Sequence, residues 1–191
     1  MPVGGEAADI LNELAESAEI YRGQSGSGYD SNAQRAALMK RHFMRYYREA
    51  AQRDGRAPRA LFRIGAFHAG RGLSPINQFD VGNLASELAI CNGSESLHIL
   101  VIVRGGHVNK WLPFLKDTVA RNSSYEARGE LAQVGAVPLL EHSVAGAWSV
   151  FDMTPLRHSE ARKAGGKVFE HLVFAYDYVV VAPEGHPAVN Y

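Results

Sequence analysis

Between Glu6 and Tyr21, the residues Ala7, Ile10, Leu11, Leu14, Ala18 and Tyr21 recur at three- and four-residue spacing. That period predicts an amphipathic helix with one buried stripe. The run Gly23-Gln-Ser-Gly-Ser-Gly28 interrupts it with a composition that suits a flexible connector. A second helix is predicted from about Ser31 to Arg53, where Ser31 or Asn32 caps the start and Leu38, Met39, Phe43, Tyr46, Tyr47 and Ala50 form the apolar stripe. Asp54-Gly55 and Pro58 end it.

After Pro58 the period changes. Ala60–Phe67 is a short, mostly apolar run that reads as a buried strand. Phe79 to Cys91 returns to the helical period, with Asp80 as N-cap, Val81, Leu84, Ala85, Leu88 and Ala89 facing inward, and Asn92-Gly93 as the stop. Leu97–Val103 is the clearest buried strand, rich in β-branched residues. Trp111 to Glu130 reads as a helix followed by a loop, Trp148–Met153 as a third strand, Pro155 to Phe174 as a helix weakened by Gly165-Gly166, and Tyr178–Pro183 as the last strand. Strands separated by helices of this length point to parallel pairing. The predicted fold class is α/β: a mainly parallel sheet of about four strands flanked by helices, preceded by two N-terminal helices. As domains, the expectation is a single α/β domain over 1–191, with an N-terminal helix over 1–22, a connector over 23–30 and the α/β core over 31–191.

A length of 191 residues suits one domain, and 46% hydrophobic residues argue against disorder. Twenty Lys and Arg balance twenty Asp and Glu, which removes the global electrostatic case for a nucleic-acid partner. The basic residues of the second helix, Arg35, Lys40, Arg41, Arg45 and Arg48, interleave with apolar ones at helical spacing and read as a solvated face. Cys91 is the only cysteine, so no intramolecular disulfide and no thiolate metal cluster is possible. The apolar runs fall short of the roughly 18 residues that span a bilayer, and no membrane partner is expected. No basic-then-apolar leader is visible at the start, which leaves the cytoplasm as the default location.

The segment richest in candidate chemistry is Gly65-Ala-Phe-His-Ala-Gly-Arg-Gly-Leu-Ser-Pro75. A histidine just past a buried strand sits where α/β sheets place ligands, at the carboxyl edge. His68 is therefore the first catalytic candidate: a general base, a general acid, or a ligand for a metal or haem iron, with a backbone-bonded turn histidine as the plain alternative. Gly70 and Gly72 let the backbone pass close to a ligand, and Arg71 offers a fork for a carboxylate or phosphate. Asp80 and Asn83 open the next helix near the same edge, and Arg71, Asp80, Asn83 and His107 are taken as substrate-binding. If the strands ending near His68 and His107 are neighbours, the two imidazoles approach each other. A metal would need a third ligand, with Asp152, Glu184 and His186 available, and no metal site is assigned. Asp152 stands just past a strand, where it would orient a histidine or serve as a cap or ion-pair partner. The sequence lacks a Gly-x-Ser-x-Gly elbow, a His-Glu-x-x-His helix and a Gly-x-Gly-x-x-Gly turn.

Three features occur in order: an Arg-x-x-x-Met helix (Arg35 to Met39), the run Gly-Ala-Phe-His68, and the late run Phe-Asp-Met-Thr-Pro-Leu-Arg157. Together they resemble the C-terminal half of the erythromycin esterase-like proteins, within the broader group of ChaN-like haem-binding and Tiki/TraB-like proteins. The resemblance covers roughly Ser31 to Pro187. It implies ester hydrolysis in which a histidine activates water, with His68 matching the second-half histidine and Arg71 a substrate-binding neighbour by position. It also implies that the first half supplies a Gly-Glu-x-x-His motif. Here Gly5-Glu6 is followed by Ala7-Ala-Asp-Ile and no histidine. The chain is then a fragment of a longer protein, a shortened descendant, or a member that has lost hydrolysis. The function expected is a hydrolase-like domain with His68, and secondarily Asp152, as catalytic residues acting on a small molecule. The alternative is a haem- or small-ligand-binding module without catalysis. Apolar surface left by an absent half would favour a homodimer.

Overall fold

The helical period of the N-terminal part yields two long helices, α1 (Gly5–Arg22) and α2 (Tyr29–Asp54). They belong to a computed structural model of the chain, which describes residues 5–23, 29–108, 123–125, 127–133 and 135–186. The chain forms two compact units, Met1–Ser96 and Leu97–Tyr191.

In the first unit, α1 forms as predicted but buries a different face. Ile10, Leu11, Leu14 and Tyr21 are exposed, whereas Ile20 is buried. Toward α2 it presents carboxylates: Arg45 donates to Glu13 at 2.8 Å, and Arg41 pairs with Glu16. Periodicity locates a stripe without saying what covers it, and here charge pairs join the two helices. Arg41 and Arg45 of α2 are thus ion-paired with α1.

The strand predicted over Ala60–Phe67 does not form. Residues 57–65 carry no strand or helix, Leu61 is 99% exposed, and Phe62 packs edge-to-face on Phe43 of α2 with ring centroids 4.8 Å apart. A strand needs a neighbour for its N–H and C=O groups, and no strand pairs with this run among the described residues. The chain then enters a one-turn helix, α3 (Ala66–Ala69), and after a loop the helix α4 (Val81–Cys91). Asp80 caps α4 and Asn92 ends it, as its sequence predicts.

The second unit holds the sheet. Its strands are β1 (Ile99–Val103), β4 (Ser149–Asp152) and β5 (Tyr178–Ala182), with a separate antiparallel pair, β2 (His107–Val108) and β3 (Ser123–Ser124). The helices between them are α5 (Ala127–Gln133), α6 (Val137–His142), α7 (Thr154–Arg157), α8 (Ala161–Ala164) and α9 (Gly166–Ala175). The helix and following loop predicted over Trp111–Glu130 lie largely outside the described residues. The sheet order is β1-β5-β4. β1 runs parallel to β5, whereas β4 runs antiparallel to it.

The predicted four-stranded, mainly parallel sheet is therefore corrected to three strands with one parallel pair. The second cause of the difference is Gly165-Gly166. An unbroken helix would carry the chain to the far end of the sheet and return it parallel. The break, with Gly166 at φ 78°, instead leaves α8 and α9 packed on each other. The connection leaves and re-enters at one end, where Met153 N–H donates to the Asp177 carbonyl at 2.9 Å. The sheet alternates as strands should: Leu100, Ile102, Val179 and Val181 are buried with Phe169, Leu172 and Val173 of α9. On the opposite face Ile99, Val101 and Val150 are exposed. No helix among the described residues is long and apolar enough to cross a membrane.

Candidate functional site

The loop from α3 to α4 brings two of the singled-out residues into direct contact. His68 Nδ1 lies 2.6 Å from Asp80 Oδ2. The other carboxylate oxygen, Oδ1, accepts the Val81 N–H at 2.7 Å, which caps α4. Asp80 is 1% exposed and the His68 side chain 17% exposed. A buried carboxylate is costly unless its oxygens are bonded. Here one oxygen takes a backbone donor at a helix N-terminus, where the dipole favours negative charge, and the other takes the imidazole. The carboxylate can only accept from Nδ1 when that nitrogen carries the hydrogen, so the pair sets the tautomer with the lone pair on Nε2.

His68 is thus delivered by a one-turn helix, not by a strand end. Its N–H donates to the Gly65 carbonyl at 3.0 Å, closing the turn. α4 can approach α3 because its second residue is Gly82. A Cβ there would stand 2.2 Å from the Ala69 carbonyl oxygen.

Asn83, the third residue of α4, accepts the Gly72 N–H on Oδ1 at 2.9 Å and ties the loop to the helix. Arg71 Nη2 donates to the Ser96 carbonyl at 2.7 Å, so this fork is turned toward the segment after α4. His68, Asp80 and Asn83 therefore form one linked group through Gly72 and the start of α4. Asp152 and His107 belong to the second unit. Asp152 is exposed, and its Oδ1 accepts the Thr154 N–H at 2.9 Å at the entrance to α7, a local turn contact two residues away. His107 opens β2 with an exposed side chain, and its N–H donates to the Gly185 carbonyl at 3.0 Å. The expected meeting of His68 and His107 at neighbouring strand ends loses its premise, because the strand before His68 is absent. Among the described residues, no group of three or more His, Cys, Asp or Glu is placed to hold a metal ion.

Other features escaped the sequence reading. Lys40 of α2 donates to the Phe79 carbonyl, immediately before Asp80. Arg35 lies with its guanidinium 5.5 Å from the Tyr21 ring, and its Nη2 is buried with no hydrogen-bond partner among the described residues. Asp80 was legible as a helix cap, and its partnership with a histidine twelve residues earlier was not. The signal available was only that both flank one Gly-rich loop. No protein-family model, curated protein or solved structure matches the chain.

Proposed function

We propose that the first unit carries a hydrolase-like site in which His68 is the water-activating base and Asp80 its orienting carboxylate. The observation that carries this reading is the 2.6 Å contact of His68 Nδ1 with a carboxylate that is itself buried and fixed at a helix N-terminus. The arrangement is that of a base held in one tautomer by a third group. In the step proposed, Nε2 takes a proton from water as the water oxygen bonds to an ester carbonyl carbon. The same proton then passes to the departing alkoxide as the C–O bond breaks, leaving acid and alcohol. Asn83 and Arg71 hold the loop around the pair. The resemblance to erythromycin esterase-like proteins supports the same assignment for His68.

A haem- or small-ligand-binding module is the second reading, favoured by the same geometry, because a histidine that ligates iron or another metal commonly donates its other ring nitrogen to a carboxylate. His68, with Asp80 behind it, would hold the iron of a haem, which would supply redox or gas-binding chemistry. The test is to assay the wild-type chain and His68→Ala against a panel of carboxylic esters, with a parallel haem titration. The hydrolase reading expects turnover that falls at least about a hundredfold in His68→Ala. Absence of turnover together with absence of a Soret shift rejects the hydrolase reading and the haem reading.

A further inference from the structure

The two sides of α1 differ in chemistry. The side that meets α2 carries Glu13 and Glu16, paired with Arg45 and Arg41. The side turned away carries Ile10, Leu11 and Leu14, which are 50%, 66% and 61% exposed. Single exposed apolar residues are ordinary on a protein surface. A continuous apolar row on one helix is not, and such a row marks an interaction surface.

The row has a period that says what fits it. Ala7, Leu11, Leu14, Ala18 and Tyr21 follow one another at spacings of four, three, four and three, and all are exposed. A mean spacing of 3.5 residues is the narrow seam that one helix lays against another, whereas a helix resting on a core has a broader stripe. Tyr21 closes the seam, with the Arg35 guanidinium of α2 5.5 Å from its ring. The seam proper is therefore Ala-Leu-Leu-Ala.

In helix pairs of this kind the flanking positions decide which partner is accepted. Here they are Ala8 and Ala15 on one side, and Ile10 and Ser17 on the other, none of them charged. The carboxylates nearest the seam have cations of their own: Glu13 and Glu16 on α2, and Glu19 on Arg22. Two identical copies of α1 thus meet no like-charge repulsion along their flanks. The seam is also the same read in either direction. When one copy is turned end for end about the point between Asn12 and Glu13, Leu11 falls opposite the second copy's Leu14, and Ala7 opposite its Ala18. Leucines then meet in the middle layers and small alanines at both ends, which is the self-complementarity a two-fold interface requires.

We propose that α1 is a dimerisation helix, and that its open seam is covered by α1 of a second copy of this chain, packed antiparallel about a two-fold axis. Each helix has 18 residues and a length of about 27 Å. Pairing them would bury roughly 500 Å² per copy and about 1,000 Å² in total, which is where specific interfaces begin. A reversible, micromolar dimer is expected from an interface of that size. Neither His68 nor Asp80 takes part, so the pairing is independent of ester hydrolysis.

The test is sedimentation equilibrium of the full chain from about 5 to about 500 µM, a range that brackets a micromolar dissociation constant. The wild type is expected to move from 20.9 kDa towards twice that mass as concentration rises. Leu11→Glu/Leu14→Glu should stay at 20.9 kDa throughout. Leu11→Ala/Leu14→Ala should raise Kd about tenfold or more, since it removes most of the apolar area that pairing buries. Both leucines are exposed, so the urea midpoint of the dilute variants should match the wild type, which separates lost pairing from lost folding. A wild type that stays monomeric overturns the proposal and leaves the seam to a helix of another protein. A dimer that the glutamates do not weaken overturns it too. Orientation is read by trapping with oxidised glutathione in a Cys91→Ser background. A mixture of Leu11→Cys and Leu14→Cys chains should crosslink well beyond either chain alone, and equal crosslinking of the single chains overturns the antiparallel arrangement.

Discussion

The α-carbon of Gly82 stands so close to Ala69 that a Cβ on it would meet the Ala69 carbonyl oxygen at 2.2 Å and that of Gly70 at 2.8 Å. Both obstacles are backbone, so neither can swing aside as a flexible side chain would. The contact is where α4 meets the end of α3, and it lies two residues past Asp80 and one past His68. Gly82→Ala must therefore push the two segments apart and separate His68 from Asp80. The expected cost is about 3 kcal/mol, at the upper end of overpacking effects, read as a lowered midpoint in urea denaturation. Gly105→Ala is the control. Its Cβ would meet nothing within 4 Å and its φ is not positive, so a change within about 0.5 kcal/mol is expected. Equal effects at the two sites would contradict the close-approach account.

Asp80 has two separable duties, and two substitutions tell them apart. Asp80→Asn keeps the shape and an oxygen for the Val81 N–H, but the amide no longer enforces the Nδ1–H tautomer. Asp80→Ala removes the cap as well, at a typical cost of about 1 kcal/mol. Ester turnover is expected to fall at least about a hundredfold in both, whereas stability falls clearly only in Asp80→Ala. Combining Asp80→Asn with His68→Ala should lower turnover little beyond His68→Ala alone, since groups acting as a unit are non-additive. Additive losses would show that the two residues act independently.

How much of this was legible in the sequence depended on whether a signal was local. The ends of α2 at Asp54 and of α4 at Asn92, and the Asp80 cap, follow from capping and turn chemistry within a few residues, and the structure has them. β1 and β5 follow from short β-branched runs. What failed was non-local. Ala60–Phe67 has the composition of a strand, but pairing depends on a neighbour that no window contains. In the structure Phe62 packs on Phe43 of α2, and the run forms no strand. The direction of β4 depended on how a broken helix refolds on itself at Gly165-Gly166. The exposed stripe of α1 shows the same limit, because Leu11 and Leu14 have the right period while the neighbouring helix meets Glu13 and Glu16 instead. At the site, residue types were readable and the His68–Asp80 contact was not.

In the second unit, Asp177 joins three segments through one carboxylate. Its Oδ1 receives Arg157 Nη2 at 3.0 Å and its Oδ2 receives the His98 N–H, just before β1, at 2.8 Å. Arg157 also donates to the Tyr176 and Val173 carbonyls, at 2.9 and 3.1 Å. The side chains are 22% and 16% exposed, so the charges are partly desolvated and each depends on the other. Asp177→Ala is expected to cost about 2 kcal/mol, and Arg157→Lys nearly as much, because an ammonium cannot reproduce the guanidinium fork. The two together should cost less than their sum in a double-mutant cycle of urea midpoints. Strict additivity would mean that the ion pair contributes nothing.

The half-buried His171 of α9 and the buried Tyr176 beside it give the second unit a loss of stability at each end of the pH scale. Burial holds the His171 pKa below its ordinary value of 6.5. Between that lowered value and 6.5, the unfolded chain binds a proton that the folded chain refuses, so stability is full above about 6.5 and declines as the pH falls. Burial also pushes the Tyr176 phenol from 10.0 up to about 12. Unfolding at high pH then releases a proton that the folded chain keeps, so stability declines as the pH rises from about 10 towards 12. His171→Gln is expected to reduce the loss of melting temperature between pH 7 and pH 5, and Tyr176→Phe to reduce the loss above pH 10. Each variant should leave the other limb unchanged. An acid limb of the same steepness in His171→Gln would show that other groups, and not this half-buried imidazole, carry the sensitivity.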